Sequence, residues 1–211
     1  TITDFDYGIY LDTVTNSIIT NNTANSNEYG VFLRDSTNNT IMNNILTSNG
    51  NGILPSGAQT QNNQLVNNKI TGSTAFSIFD GTEIPYNNSI VYNNSFGEIR
   101  WNNNGSGSFL ANLTLVGNIG LDVNLTIGNN TVYLNASAFT VGLINSSANI
   151  TLYGMDSFSF TNPKIFRDGI ACGTDCVNFT HLDAATVQFN VTYAGANYTI
   201  NSTENAAPTI S

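Results

Sequence analysis

A phrase of sequence returns every 22 residues at the start of this chain, and few folds accept such a repeat. Tyr7-Gly8-Ile9-Tyr10-Leu11 recurs as Tyr29-Gly30-Val31-Phe32-Leu33 and as Asn51-Gly52-Ile53-Leu54-Pro55, setting the three glycines 22 residues apart. A second phrase, aliphatic-x-x-Asn-x-apolar, follows as Ile19…Asn22…Ala24, Ile41…Asn44…Leu46, Leu65…Asn68…Ile70 and Val91…Asn94…Phe96; its asparagines are 22, 24 and 26 residues apart. Apolar residues alternate within the first phrase, the period of two that turns one face of a strand inward. β-branched and aromatic residues dominate, and Asn, Gly, Ser and Thr interrupt every few positions. Short strands at a fixed period of this size stack as a solenoid. The expectation is an all-β chain: a short right-handed parallel β-helix of four to five rungs over residues 1–104. Each rung would hold two or three short strands, and residues 1–5 would already be strand.

The composition explains how such a coil closes its corners. Charged residues make up only 9% of the chain, against about 25% in ordinary soluble domains. Of its 36 asparagines, 22 fall in residues 1–104. Asn tolerates left-handed backbone, and its amide bonds readily to a neighbouring turn. Stacked in register, Asn22, Asn44, Asn68 and Asn94 are expected to form an amide ladder along the coil. Asp12 and Arg34, also 22 apart, should meet on adjacent rungs as an exposed ion pair of little energetic weight. Pro55-Ser56-Gly57 and Gly81-Thr82-Glu83-Ile84-Pro85 read as loops bulging from the third and fourth rungs.

The Tyr-Gly-Ile-Tyr-Leu phrase and the Asn-Asn-Thr-Ile-x-Asn-Asn phrase resemble the parallel β-helix repeats of the periplasmic copper-binding accessory-type and pectate-lyase-like families, which abound in archaeal surface proteins. The likeness spans about residues 5–101. It implies the fold, while such repeats serve lyases, epimerases, adhesins and scaffolds alike. Pectate-lyase-like members use clustered acidic residues for calcium and an Arg or Lys as base. The residues here that could answer to that pattern are Asp4, Asp6, Asp12, Asp35, Asp80, Glu83, Arg34 and Lys69. Asp4 and Asp6 alternate on the expected first strand, but no second rung repeats them. Asp12 and Asp35 are the only near-match to the aspartates of a hydrolase, and Arg34 beside them makes an ion pair the simpler account. Copper would want His, Met or Cys ligands, and Met42 and Met155 fall in different halves of the chain. No catalytic residue, metal or cofactor is therefore expected. Tyr7, Tyr10, Tyr29 and Phe32 are candidates for contact with a sugar, the alternative being an outward aromatic ladder with some rings packed between rungs.

The 22-residue phrase stops after Phe96-Gly97-Glu98-Ile99-Arg100-Trp101. Trp101 is the lone tryptophan, placed where a solenoid must cover its last rung, and reads as a cap or inter-domain wedge. A hinge, Asn102-Asn103-Asn104-Gly105-Ser106-Gly107, follows. Residues 105–204 then carry alternating segments at 109–116, 121–127, 131–134, 139–144, 148–153, 164–167, 186–193 and 197–200, with turn residues every 8–12 positions. That spacing argues an antiparallel β-sandwich domain. Residues 205–211 read as a linker or strand-donating tail. Cys172 and Cys176, four apart in a Gly/Asp loop, suit a small disulfide pinning one hairpin end in an oxidising compartment. Half of a metal site is the competing reading, but His181 is the only histidine to complete it.

The net charge of −9, with five scattered Lys and Arg, argues against nucleic acid, whose phosphates need a basic patch. It argues equally against an anionic membrane surface. No apolar run approaches the ~18 residues that span a bilayer. Fifteen Asn-x-Ser/Thr sequons mark candidate glycosylation sites at Asn21, Asn38, Asn87, Asn93, Asn104, Asn112, Asn124, Asn129, Asn135, Asn145, Asn149, Asn178, Asn190, Asn197 and Asn201. With the cysteine pair they point outside the cell. The chain opens on Thr1 inside a repeat and closes on a linker-like run, so a processed piece of a longer secreted protein is expected. The functional expectation is a non-catalytic structural subunit of an extracellular surface layer, adhesin or filament that assembles through exposed β edges. Its partners would be further copies, neighbouring domains of the same longer protein, or glycans. A carbohydrate-binding module or a polysaccharide lyase or epimerase is the alternative.

Overall fold

The computed structural model describes residues 1–78, 87–102, 124–135, 137 and 146–203. The first part coils through about four turns of parallel β-helix. Its strands in chain order are β1 (Ile2–Thr3), β2 (Tyr7–Asp12), β3 (Ile18–Thr20), β4 (Thr23–Asn25), β5 (Tyr29–Arg34), β6 (Thr40–Met42), β7 (Ile45–Thr47), β8 (Asn51–Ser56), β9 (Gln64–Val66), β10 (Lys69–Thr71), β11 (Phe76–Ile78) and β12 (Ser89–Asn94). They stack by side: β2-β5-β8-β11, β3-β6-β9-β12 and β1-β4-β7-β10. A fourth, very short side is a column of single bridges, Thr15↔Thr37↔Gln61. A rung is thus three strands, as many as expected, with one added bridge and four corners.

Backbone sign makes the corners. The second full rung turns at Asp35, Asn38, Asn43 and Ser48, all with φ between 47° and 58°. After each of these the next side chain swings inward. Between corners, alternation fills the coil with stacked apolar columns: Val31 on Ile53, Leu11 on Leu33, Ile41 on Leu65 and Ile90, Ala24 on Leu46 and Ile70, all buried.

Several expectations within the coil are corrected. Only Ile2–Thr3 is strand at the start, because Asp4 has φ 64° and turns the chain, so Asp4 and Asp6 do not share a strand face. Pro55 and Ser56 do not bulge. They continue β8 beside Leu33 and Arg34, and Pro55 is buried because it follows Leu33 in an inward apolar column. The loop at 81–85 and the side chains of Asp80 and Glu83 lie outside the described residues.

The solenoid ends in a reversal. β12 pairs parallel with β9 on one side and antiparallel with β13 (Gly97–Asn102) on the other. Its fourth asparagine phrase therefore makes a hairpin, with no further corner. The Asn94 carboxamide oxygen accepts the Phe96 N–H at 2.8 Å, and its nitrogen donates to the carbonyl of Ile127.

Beyond this point come β14 (Leu125–Gly128), β15 (Thr131–Leu134), β16 (Ala148–Tyr153), β17 (Pro163–Arg167), β18 (Ile170–Ala171), β19 (Cys176–Asn178), β20 (Thr186–Val191) and β21 (Asn197–Ser202). One sheet runs β19-β20-β16-β13-β12-β9-β6-β3, so a side of the solenoid continues directly into antiparallel structure. A second sheet, β14-β15-β21-β17-β18, faces its antiparallel end. Phe189 meets Tyr198 across the gap, ring centroids 6.4 Å apart. The two halves expected on either side of a hinge share a sheet and one core. Trp101, 1% exposed on β13 opposite Ile90, sits inside that junction and is a core residue of a continuous sheet. Residues 103–107 of the expected hinge, the segments at 109–116 and 139–144, and the tail from 204 lie outside the described residues.

Candidate functional site

The outer face of β2 and β5 gathers the four aromatic candidates. Tyr7 lies 4.9 Å from Tyr10, 5.3 Å from Tyr29 and 5.3 Å from Phe32, measured between centroids, and Tyr29 lies 5.2 Å from Phe32. Tyr7 and Tyr10 are three apart, and a regular strand would send them to opposite faces. The glycine between them breaks the alternation: the register runs Tyr7↔Tyr29 and then Ile9↔Val31, stepping over Gly8 and Gly30. Glycine is required there. A Cβ on Gly8 would stand 2.7 Å from both the Ala24 Cβ and the Gly30 carbonyl oxygen. Tyr7 and Tyr10 remain 40% and 42% exposed.

Beside the rings, Arg34 binds Asp12 through both guanidinium and carboxylate arms, Nε to Oδ1 at 3.0 Å and Nη2 to Oδ2. The guanidinium carbon also sits 5.5 Å from the centre of the Tyr10 ring. The hydrogen bond from Arg34 holds the Asp12 carboxyl below its ordinary pKa. Packing among the rings pushes the Tyr10 hydroxyl above its ordinary value, with Arg34 opposing and Asp12 adding to the shift. Chemically the face offers aromatic edges, hydroxyls and a satisfied ion pair.

Of the other acidic candidates, Asp35 takes a corner and accepts the Gln59 N–H at 3.2 Å. Lys69 is on β10, on another side of the coil from Arg34. Among the described residues no three His, Cys, Asp or Glu side chains group as metal ligands would.

The asparagine ladder exists, and it is wider than expected. The Asn44 carboxamide oxygen accepts both the backbone N–H and the side-chain amide of Asn22, at 3.0 and 3.1 Å. Asn44 in turn donates to the Asn68 oxygen and to the Ile19 carbonyl, both at 3.0 Å. Asn94 is not a fourth step, because the hairpin carries it away toward Ile127. Two further columns were missed: Asn27–Asn49, and Asn39–Asn63–Asn88, linked by the same pair of bonds at each step. The 22-residue spacing of Asn27 and Asn49 was a legible signal. The 24 and 25 of the longer column obscure it.

In the second half, Cys172 and Cys176 form a disulfide with Cα atoms 5.7 Å apart. It does not pin a hairpin. β18 is an edge of one sheet and β19 an edge of the other, so the bridge spans the two sheets at the open side of the sandwich. An open cleft of about 620 Å³ lies there, lined by Lys164, Ile165, the cystine, His181 and Asp183. The sequence offered no sign of it, since these residues come together only through the two edges. Met155 is fully buried in the core.

Of the sequons, Asn104, Asn112 and Asn145 lie outside the described residues. Asn21, Asn38, Asn87, Asn129, Asn178, Asn197 and Asn201 are exposed, Asn93, Asn135, Asn149 and Asn190 are half-buried, and Asn124 is buried. Among the described residues no helix is long and apolar enough to cross a membrane.

Comparison with known proteins agrees with the coil. The sequence profile of a family described as a right handed beta helix region matches residues 1–70, about a third of the chain. No curated protein and no solved structure matches it. The chain carries a parallel β-helix whose first 70 residues are similar to that family.

Proposed function

We propose that this chain is a non-catalytic structural part of an extracellular surface layer, adhesin or filament. The observation that carries the reading is the use made of the repeat's polar groups. Asn39, Asn44 and Asn63 are fully buried, and their amides are spent on the rungs above and below. Asn49, also fully buried, spends its amide on the rung before it. Buried polar groups kept in saturated networks rigidify a structure and specify its register. An intramolecular disulfide fits an oxidising compartment.

Assembly through β edges is the second part of the proposal. Among the described residues β1, β2 and β3 each have a strand on one side only. Ile9, Val14 and Ile19 are only partly buried in the first rung, where Val31 and Ile41 above them are fully buried. Unpaired backbone over partly open apolar columns invites a further rung, from the same polypeptide or from another copy. Ile18→Lys with Thr20→Lys tests this, because both positions are exposed at that edge and edge lysines oppose strand addition. Electron microscopy and light scattering should show assemblies that the double variant loses at unchanged melting temperature. A compact monomer at every concentration, with first-rung amides already slow to exchange, would remove assembly through this edge.

Carbohydrate binding is the second reading, favoured by the exposed rings of Tyr7 and Tyr10 next to a fixed Asp12–Arg34 pair. Glycan-array binding that disappears in Tyr7→Ala would replace the structural reading.

A further inference from the structure

The paired asparagines at the corners divide two jobs between adjacent residues. At six corners the first Asn (Asn21, Asn38, Asn43, Asn62, Asn67 and Asn87) holds a left-handed φ of 49° to 58°. The second (Asn22, Asn39, Asn44, Asn63, Asn68 and Asn88) turns its amide into a ladder. The third residue starts a strand. Where it is Thr23, Thr40 or Ser89, the corner is also an Asn-x-Ser/Thr acceptor; where it is Ile45, Gln64 or Lys69, the same geometry lacks the hydroxyl.

We propose that Asn21, Asn38 and Asn87 carry N-linked glycans, as do the turn residue Asn129 and the strand residue Asn201, an assignment that rests on the extracellular reading above. In the transfer, Nδ2 bonds to the anomeric carbon of a polyprenyl-phosphate-linked oligosaccharide. The bond from that carbon to the phosphate oxygen breaks with its electron pair, and Nδ2 gives up one proton to the host transferase. The product amide keeps a single N–H. A ladder asparagine that uses both donors would lose a bond, whereas these five are exposed and their amides bond to nothing among the described residues.

Of the other described sequons, Asn124 is buried, Asn93, Asn135, Asn149 and Asn190 are half-buried, and Asn178 and Asn197 are exposed with side chains already hydrogen-bonded. The Asn190 amide nitrogen lies within hydrogen-bond distance of Ser147 Oγ, the Ala148 carbonyl and Asn149 Oδ1. Asn93 Oδ1 accepts from Asn67 at 2.7 Å, Asn135 and Asn197 accept hydroxyls, and Asn178 donates to Thr180. Spacing favours the corner set too. Asn38 and Asn87 share a column with Asn62 between them, so two strand spacings, about 10 Å, separate the acceptors.

The test is secretion of the chain from a eukaryotic host, release of glycans by an amidase in heavy-oxygen water, and peptide mapping of the resulting aspartates. High occupancy is expected at the five sites and at least fivefold lower occupancy at Asn93, Asn178 and Asn190 in the folded fraction. Ile45→Thr, at an exposed position, should add one glycan at Asn43. A folded, secreted chain with bare corners, equal occupancy at Asn190, or an Ile45→Thr variant without the added glycan overturns the assignment. Location is read separately, by biotinylation of intact source cells. Failure there removes the extracellular reading and leaves the acceptor geometry standing.

Discussion

Asn63→Ala should damage the solenoid far more than Asn62→Ala one residue away. Asn63 is fully buried. Its oxygen accepts the Asn39 backbone N–H at 2.9 Å and the Asn39 amide at 3.1 Å. Its nitrogen donates to Asn88 Oδ1 at 3.1 Å and to the Ser36 carbonyl at 2.8 Å. Truncation removes four hydrogen bonds whose partners are themselves buried. At about 1 kcal/mol net for each, the loss is about 4 kcal/mol, a large part of the ~5–15 kcal/mol that holds a domain folded. Asn62 is exposed at φ 56°, and alanine there loses only the left-handed tolerance of Asn, about 1 kcal/mol. Urea unfolding followed by Trp101 fluorescence reads both, provided the slopes agree so that midpoints compare. Asn63→Asp adds a pH signature. Its carboxylate would face two acceptors in a dry site, raising its folded pKa above that of the unfolded chain. The folded state then binds more protons, so the variant's stability falls as pH rises above about 4 and recovers on acidification. Equal costs at 62 and 63, or a loss at Asn63 below about 1 kcal/mol, would refute the view that the ladder holds the rungs.

Gly30→Ala places a Cβ 2.6 Å from the Gly52 carbonyl oxygen and 3.0 Å from the Asn49 amide nitrogen; overpacking of this kind costs about 2–3 kcal/mol, read as a lower urea midpoint. Reducing Cys172–Cys176 frees a very short loop, worth about 2 kcal/mol in the chain-entropy account. Hydrogen exchange should then quicken at β18 and β19 while the rungs keep their protection. The Asp12 pKa is lowered by Arg34, so the pair's contribution is present above the ordinary carboxylate value and lost as pH falls through the depressed one. Asp12→Asn should remove that pH dependence and, at physiological salt, move the midpoint far less than Asn63→Ala does. Tyr198, fully buried with its hydroxyl donating to the Tyr193 carbonyl, has its pKa raised by burial; unfolding should therefore ease as pH climbs above about 10, and less so in Tyr198→Phe.

The sequence by itself determined whatever repeats locally. Alternation at Ile9 and Leu11 sets which side chains enter the core, and the 22-residue return of that pattern leaves stacking as the way to bury them. Paired asparagines supply left-handed corners without needing a distant partner. Strands β15 and β16 were likewise readable to the residue, because period-two burial and a flanking turn are both local. Register between distant strands was decided only in three dimensions. Tyr7 and Tyr10 share a face because a rung packs too tightly against Gly8 to keep the alternation. Asn94 looks like its predecessors in sequence, yet the chain reverses after it to pair β13 with β12. The same pairing continues one side of the coil into the antiparallel strands of the same eight-stranded sheet and buries Trp101 there. Cys172 and Cys176 look like a local loop, and they span two sheets because their strands are the opposed edges of a sandwich. A pattern along the chain specifies which way a side chain points, and packing between strands specifies what it meets.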